Sequence, residues 1–542
     1  MLSHAGRSIE SIPQLFDNPE AGDHEKFDCG DIFTGATIAT SAENIDTILD
    51  IPGVVNVWPV TTLSVPRSPH MTDELDKSRP RNYSVHHWTG VDKLHEAEMR
   101  GKGTKVAVVD TGVDYSHRAL GGCFGPECKI AGGFTGVAPG AELLIYKVFS
   151  DADVITASIN RPGGFVDSPW ALVANRIVER GVFVSIAAGN DGEKGFETDS
   201  GSSMAAPYIA GIAALYIGHH GGRELHGPNF AKDLAKRIAS SGRNVAWSTG
   251  DIFFNESAPP FQVGTGLVDA WKVLHYDTQI SFEPISLLDT ELFQPEWDIQ
   301  VTNNGNRTVN YAFEHESLPG VEIYDGISDI RPLSQLAPLR IVPGVSLPLN
   351  ATLHSGQTKT FRIKLELPSD INDDFLPLYG GKIWINGDND EQLCIPYGAY
   401  DTEKAFDRMF DGAPIFEEDW AESQWQYPLE VGKRRFVGSA TSVRDSDKFL
   451  WFDASEVDIN DTVSFPLTRI PRGYQRFWWF RKLSNGSQIS PGNYTMRIAA
   501  LRPYGNPKMS DHWDVVDLDK HAIEILPQNA KNSTFSKFMS KM

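Results

Sequence analysis

The apolar positions of this 542-residue chain fall into three textures. Between Gly101 and Leu274, near-continuous apolar runs alternate with helical periodicity: KVAVVD (105–110), LLIYKVF (143–149) and VFVSIAA (182–188). Strands buried on both faces read this way, so the alternation predicts a parallel, doubly wound sheet. DSPWALVANRIVERG (167–181) predicts a helix with Asp167 or Ser168 as N-cap and Pro169 at its first position. A turn of small residues at Gly201–Ser203 leads straight into an apolar helix running from Met204 to about His219. After about Asp277 the pattern becomes strict alternation broken by Asn/Gly turns, as in WDIQVTNNGNRTVNYAFEH, KTFRIKLELP and GKIWINGD. That predicts a β-sandwich to about Tyr400, with a second in the same style from 401 to about 527. The N-terminal segment reads strand, helix, strand in IFTGATIAT, SAENIDTILDI (Ser41 as cap) and VVNVWPV. A polar, proline-containing linker through Tyr83 follows, and the tail from Gln528 is polar.

Length alone makes two to four domains the natural expectation. A formal charge of −22 argues against nucleic acid as a partner, since a basic stripe is its usual footprint. No run approaches the roughly 18–20 apolar residues of a membrane span, so no transmembrane segment is expected. Of four cysteines, Cys123 and Cys128 are five apart, which suits a small disulfide loop in an oxidising compartment or, as the rival reading, a metal pair. Cys29 and Cys394 are expected to stay free. Eight N-x-S/T sequons, at Asn82, Asn255, Asn306, Asn350, Asn460, Asn485, Asn493 and Asn532, suit a secreted glycoprotein. The opening MLSHAGRSIESIPQLF has no basic flank followed by an apolar core, so no signal peptide is expected in this chain.

Three residues carry candidate chemistry. Asp110 ends the strand VAVVD, and in open α/β sheets catalytic groups gather at the carboxyl ends of strands. It also reads as an ordinary strand-end Asp that accepts turn hydrogen bonds. Asn190, in IAAGNDG, follows a buried strand on a Gly-rich turn; the reading is an amide donor to an oxyanion or simply a turn Asn. Ser203, in GSSMAAPYIAG, stands at a helix N-terminus, where free N–H groups and the helix dipole favour a developing oxyanion. The bland alternative is a run of small residues that lets the helix sit close to its neighbours.

In this order, VAVVDTGVDYSHRALGG, IAAGNDG and GSSMAAPYIAG resemble the aspartate, asparagine and serine motifs of subtilisin-like serine proteases, most closely the fungal minor extracellular ones. The resemblance implies a subtilisin-like α/β domain over 84–276. A propeptide-like α/β segment and linker would span 1–83, a fibronectin type III-like β-sandwich 277–400, a second β-sandwich 401–527 and a disordered tail 528–542. It implies a secreted serine endopeptidase acting on proteins or peptides, with the propeptide-like segment as intramolecular inhibitor. Ser203 would be the nucleophile, Asp110 the acid that orients a histidine, and Asn190 an oxyanion donor. No cofactor is required, and calcium enters only by family analogy. The chain departs from the family in one respect: the general-base motif, close to HGTHVAG, is absent. Family-like segments meet abruptly at Gly133–Phe134 and Asp151–Ala152, and Ser203 follows Asn190 by only thirteen positions. None of His86, His87, His95, His117, His219 or His220 is spaced to replace the missing base. Impaired or absent hydrolysis is therefore expected. The alternative is a non-catalytic protein- or glycan-binding module working through the sandwiches. Lost strands also open sheet edges, so a poorly folded or rearranged 84–276 is expected beside sandwiches that fold alone.

Overall fold

The computed structural model describes residues 2–4, 26–28, 32–37, 54–58, 85–110, 116, 135–145, 152–159, 169–188, 202–249, 252–287, 293–324, 331, 335–369, 375–400, 424–426, 439–441, 490, 492–501 and 513–525. The chain divides into two compact units: 1–39, 53–323 and 331–400 form the first, and 40–52, 324–330 and 401–542 the second.

The first unit opens with a four-stranded antiparallel sheet of β1 (Leu2–His4), β2 (Lys26–Asp28), β3 (Thr34–Ala36) and β4 (Val54–Val57), in the order β2-β3-β1-β4. β3 and β4 fall within two of the predicted strands; the predicted helix at 41–51 lies outside the described residues. Four parallel strands follow: β5 (Lys105–Val109), β6 (Glu142–Ile145), β7 (Val154–Ala157) and β8 (Phe183–Ile186), ordered β6-β5-β7-β8. Period-2 alternation sends Val106 and Val154 to one face and Ala107 and Ile155 to the other. The first face meets Ala210, Ala213 and Ala214 of the helix Ser202–His220, and the second meets Ile177 of the helix Pro169–Val178. Helices therefore cover both faces, the doubly wound arrangement that the apolar runs predict. The four described strands form one continuous sheet. The reason is β7, which pairs in register with both β5 and β8 and is buried along its whole length.

β9 (Ala246–Ser248) and β10 (Phe253–Ser257) pair as an antiparallel hairpin, and from Thr278 the unit is built of two further sheets. One comprises β11 (Thr278–Phe282), β13 (Glu296–Asn303), β15 (Gly344–Ser346) and β17 (Thr358–Glu366), in the order β11-β13-β17-β15. The other comprises β12 (Ile285–Ser286), β14 (Val309–Glu322), β16 (Ala351–Leu353), β18 (Pro377–Gly387) and β19 (Gln392–Tyr400), in the order β12-β19-β18-β14-β16. Ile299, Val301, Phe361 and Ile363 of the first share one apolar cluster with Tyr311, Ile383, Ile385 and Ile395 of the second. Buried Asn303 shapes the NNGN turn: its amide nitrogen donates to the Arg307 and Leu353 carbonyls, and its oxygen accepts from the Gly305 N–H. Cys394 is a buried free thiol, pushed up to about 11 chiefly by desolvation, and so stays protonated. In the second unit, Gln424–Gln426 pairs with Ser439–Thr441 and Gly492–Leu501 with Trp513–Ile525, both antiparallel. Cys29, Cys123 and Cys128 lie outside the described residues. Among the described residues no helix is long and apolar enough to cross a membrane.

Histidines crowd the junction where the α/β part meets β11. His220 Nε2 donates to the Leu274 carbonyl at 2.8 Å, and its ring lies 4.6 Å from the rings of both Tyr216 and His219. His226 donates to the His220 carbonyl, and Arg237 donates to the Val273 and Tyr276 carbonyls. Desolvation lowers the pKa of His220 and His275, with Arg237 and His219 adding repulsion to each. The fold therefore holds neutral imidazoles, whereas the unfolded chain takes up protons near the ordinary value of about 6.5. Their contribution to stability is present above that value and is lost as pH falls below it. The melting midpoint is expected to drop as pH falls below about 6.5. His220→Gln, which keeps a donor for Leu274, should flatten that decline in a thermal melt series; an unchanged slope would remove His220 from the account.

Candidate active site

Asp110 and Ser203 are brought to the same edge of the parallel sheet. Val109 and Ala157 are register partners, so Asp110 and Ser158 leave β5 and β7 side by side at the carboxyl end. Asp110 is exposed there. Ser203 sits half-buried in the first turn of the helix Ser202–His220, called the serine helix below.

The start of this helix is held in a way that Pro207 dictates. A proline has no N–H to give to the carbonyl four residues earlier, which here belongs to Ser203. Ser158 Oγ supplies the missing donor at 2.8 Å to the Ser203 carbonyl, and Ser185 Oγ donates at 2.8 Å to the Ala206 carbonyl. Hydroxyls from Ser158, just past β7, and Ser185 of β8 thus tie the first two turns to the end of the sheet where Asp110 emerges. The sequence reading did not single out these two serines. Pro207, four residues after Ser203, was the available signal, because it leaves a carbonyl that some side chain must satisfy.

Further along, Gly211 and Gly218 let the helix approach its neighbours closely. A Cβ on Gly211 would lie 2.6 Å from Val137 Cβ, and one on Gly218 2.8 Å from Gly101 Cα. Tyr208 anchors the segment ahead of the sheet: its hydroxyl is 2.6 Å from Thr89 Oγ1 and 2.9 Å from His86 Nδ1. His86 Nε2 donates to the Thr135 carbonyl at 2.9 Å, so burial, which raises the Tyr208 pKa, is accompanied by a fully engaged imidazole. His95 donates to the Val137 carbonyl and His87 pairs with Asp92. The described histidines near the serine helix are thus committed to structural partners. His117 and Asn190 lie outside the described residues. Among the described residues no group of three or more His, Cys, Asp or Glu is arranged to hold a metal ion, so calcium rests on the family analogy alone.

No protein-family model matches the chain. Curated relatives do. It is 28% identical over 191 residues to subtilisin E of Bacillus subtilis (strain 168), covering 27% of this chain and 49% of that protein. It is 26% identical over 183 residues to the subtilisin-like protease SBT2.2 of Arabidopsis thaliana, covering 28% of this chain and 18% of that protein. Pyrolysin of Pyrococcus furiosus is 32% identical over 78 residues, 14% of this chain and 5% of its own length. The chain thus spans half or less of these relatives. Among solved structures, a PapD-like domain of human CEP192 aligns at 12% identity over 23% of this chain and 84% of its own, with a TM-score of 0.17, which carries no argument. A mixed α/β fold together with weak, partial similarity to subtilisins supports a subtilase-like serine-protease relationship.

Proposed function

We propose that the chain is built on a subtilisin-type serine endopeptidase scaffold whose hydrolytic activity is impaired. In this reading Ser203 is the nucleophile, Asp110 the carboxylate that orients a base, and Asn190 an oxyanion donor. Protein or peptide chains are the substrate class. The observation that carries it is the Ser158–Ser203 bond, which fixes the serine at the helix start beside the strand end that bears Asp110. The impairment follows from the absent HGTHVAG-like motif: nothing is assigned to accept the Ser203 proton. Removal of the serine or the histidine from subtilisin itself costs about 2 × 10⁶ in kcat, and a deficit of that order relative to an intact triad is expected here.

The remaining family features belong to the same proposal. The two-sheet region 277–400 is read as a fibronectin type III-like sandwich, supported by its single shared core. The N-terminal sheet is read as the propeptide-like inhibitor. Its support is Ile32, just ahead of β3, which packs against the cluster of Ala107, Ile155 and Ile177 while its carbonyl accepts from Arg176 at 2.5 Å. Secretion is expected from the family and the sequons.

The test is fluorophosphonate labelling of the full chain, with Ser203→Ala as control and circular dichroism confirming that both are folded. Labelling no greater than in the Ser203→Ala protein, with no cleavage of casein, is the expected result. Rapid labelling that disappears in the variant would show an activated serine and overturn the impairment. A serine that stays unreactive after a high concentration of imidazole is supplied as a base would count against the nucleophile assignment itself.

A further inference from the structure

Leu349, 90% exposed, and Phe253, 77% exposed, are the most exposed large apolar side chains among the described residues. Both stand beside an exposed sequon asparagine. Leu349 directly precedes Asn350 of Asn350-Ala351-Thr352, and Phe253 lies two residues before Asn255 of Asn255-Glu256-Ser257. Phe253 and Asn255 belong to the strand Phe253–Ser257, which pairs with Ala246–Ser248. The intervening Phe254 turns inward, its ring 5.4 Å from that of buried Trp247. The pairing slips register between Phe253 and Ser257, and Phe253 and Asn255, two residues apart, are both exposed to solvent.

We propose that Asn255 and Asn350 are N-glycan attachment sites whose first sugar residues cover the Phe253 ring and the Leu349 side chain. A hexosamine presents an apolar face of C–H groups, and an exposed aromatic ring beside the attachment point is a surface for it to stack on. Such cover removes apolar area from water. In the attachment step the oligosaccharide passes from a lipid-diphosphate donor to the asparagine amide. A bond forms between sugar C1 and Nδ2 as the C1–O bond to the diphosphate breaks; the lipid diphosphate leaves with that electron pair, and the amide nitrogen gives up one proton. Asn306, exposed in the turn between β13 and β14, is the internal control. Its sequence neighbours are polar (Asn304, Arg307 and Thr308), so a glycan there has no exposed apolar side chain beside it in the chain to cover.

The experiment places the full chain behind a secretory leader in a glycosylating yeast host. Glycans are removed with peptide-N-glycosidase F in ¹⁸O water, and retained as well as secreted protein is read by peptide mass spectrometry. Heavy-oxygen aspartate is expected at positions 255 and 350. Thermal melts then complete a cycle of Phe253→Ala, Asn255→Gln and the double variant in the same host. Each single change is expected to lower the midpoint by about 2–4 °C, and the double change no further than either alone. Asn306→Gln should leave the Phe253→Ala effect unchanged. Unmodified asparagine at 255 overturns the proposal, as does a Phe253→Ala effect that is the same with and without the glycan. Neither readout involves Ser203, so failure here is separate from failure of the peptidase reading.

Discussion

Lys382→Ala lowers the unfolding free energy of the first unit by about 3 kcal/mol, the upper end of the cost of leaving buried acceptors without their donor. Lys382 is fully buried on β18, an uncommon place for an ammonium. Its Nζ donates to Asn244 Oδ1 and, at 2.8 Å, to the Thr265 carbonyl, and it lies 5.7 Å from the Trp384 ring centroid. Glu316 closes the network, accepting from Asn244 Nδ2 and Trp384 Nε1, each at 2.7 Å. Desolvation lowers the lysine pKa, opposed by Cys394 and then by Glu316. Asn244 and Thr265 come from the α/β part and Lys382, Glu316 and Trp384 from the sheets beyond it, so the network spans the joint between them. Removing the lysine leaves Asn244 Oδ1 and the Thr265 carbonyl without their donor and takes a positive charge from the neighbourhood of Glu316. Lys382→Met keeps most of the stem volume, so it separates lost charge from lost packing. Adding Glu316→Gln to it should recover part of the loss, a coupling that a double-mutant cycle in urea measures. Additive effects would mean that the pair does not act together. A second readout is cooperativity: the wild-type unit should unfold in one transition, and Lys382→Ala should separate the α/β and two-sheet signals. That expectation revises the sequence-based view that the sandwich region folds independently.

The two halves of this unit differ in how openly the sequence declares them. In β13 and β17 every second residue is apolar, and the burial follows the letters: Ile299, Val301, Phe361, Ile363 and Leu365 point in, and Glu296, Arg362 and Lys364 point out. A half-exposed sheet writes its own pattern. β7 does not. Val154–Ala157 is four residues long and buried throughout, so it has neither alternation nor length to announce it. It looks like debris at a broken junction, yet it is the strand that completes the sheet. The candidate site shows the same division. Asp110 and Ser203 are legible because strand-end and helix-start positions have chemical meaning without knowledge of tertiary contacts. Ser158 and Ser185 are not, because a serine that satisfies a carbonyl 45 or 21 residues away looks like any other serine. The network around Lys382 was equally hidden: a lysine inside GGKIWING reads as a solvent-facing residue until its partners are placed.

Gly218→Leu is expected to destabilise the α/β part by about 3 kcal/mol, at the upper end of the usual cost of overpacking. The direction for Gly218→Ala needs more care, since two effects oppose. Glycine inside a helix gives up about 1 kcal/mol relative to alanine, so propensity alone favours the substitution. The new Cβ, however, would stand 2.8 Å from Gly101 Cα, 2.9 Å from Gly101 C and 3.2 Å from Lys102 N. All three are backbone atoms, so no side-chain rotation relieves the contact. Gly101 is itself held at φ +74°, where its own Cβ would meet Ala138 Cβ at 3.0 Å, so the loop has little room to retreat. The helix must move instead, and it is tied to the sheet by the hydroxyls of Ser158 and Ser185 at its other end. The clash therefore wins over propensity: Gly218→Ala lowers the melting midpoint, and Gly218→Leu lowers it several times further. A Gly218→Ala protein that melts higher than wild type would show that the close approach to Gly101 is not maintained. The same substitution bears on the site, because the serine helix is the element that sets where Ser203 stands. A helix displaced at Gly218 pulls against the Ser158 bond, so Gly218→Leu should weaken protection of the amides in its first two turns in hydrogen exchange, even though the clash lies at the far end.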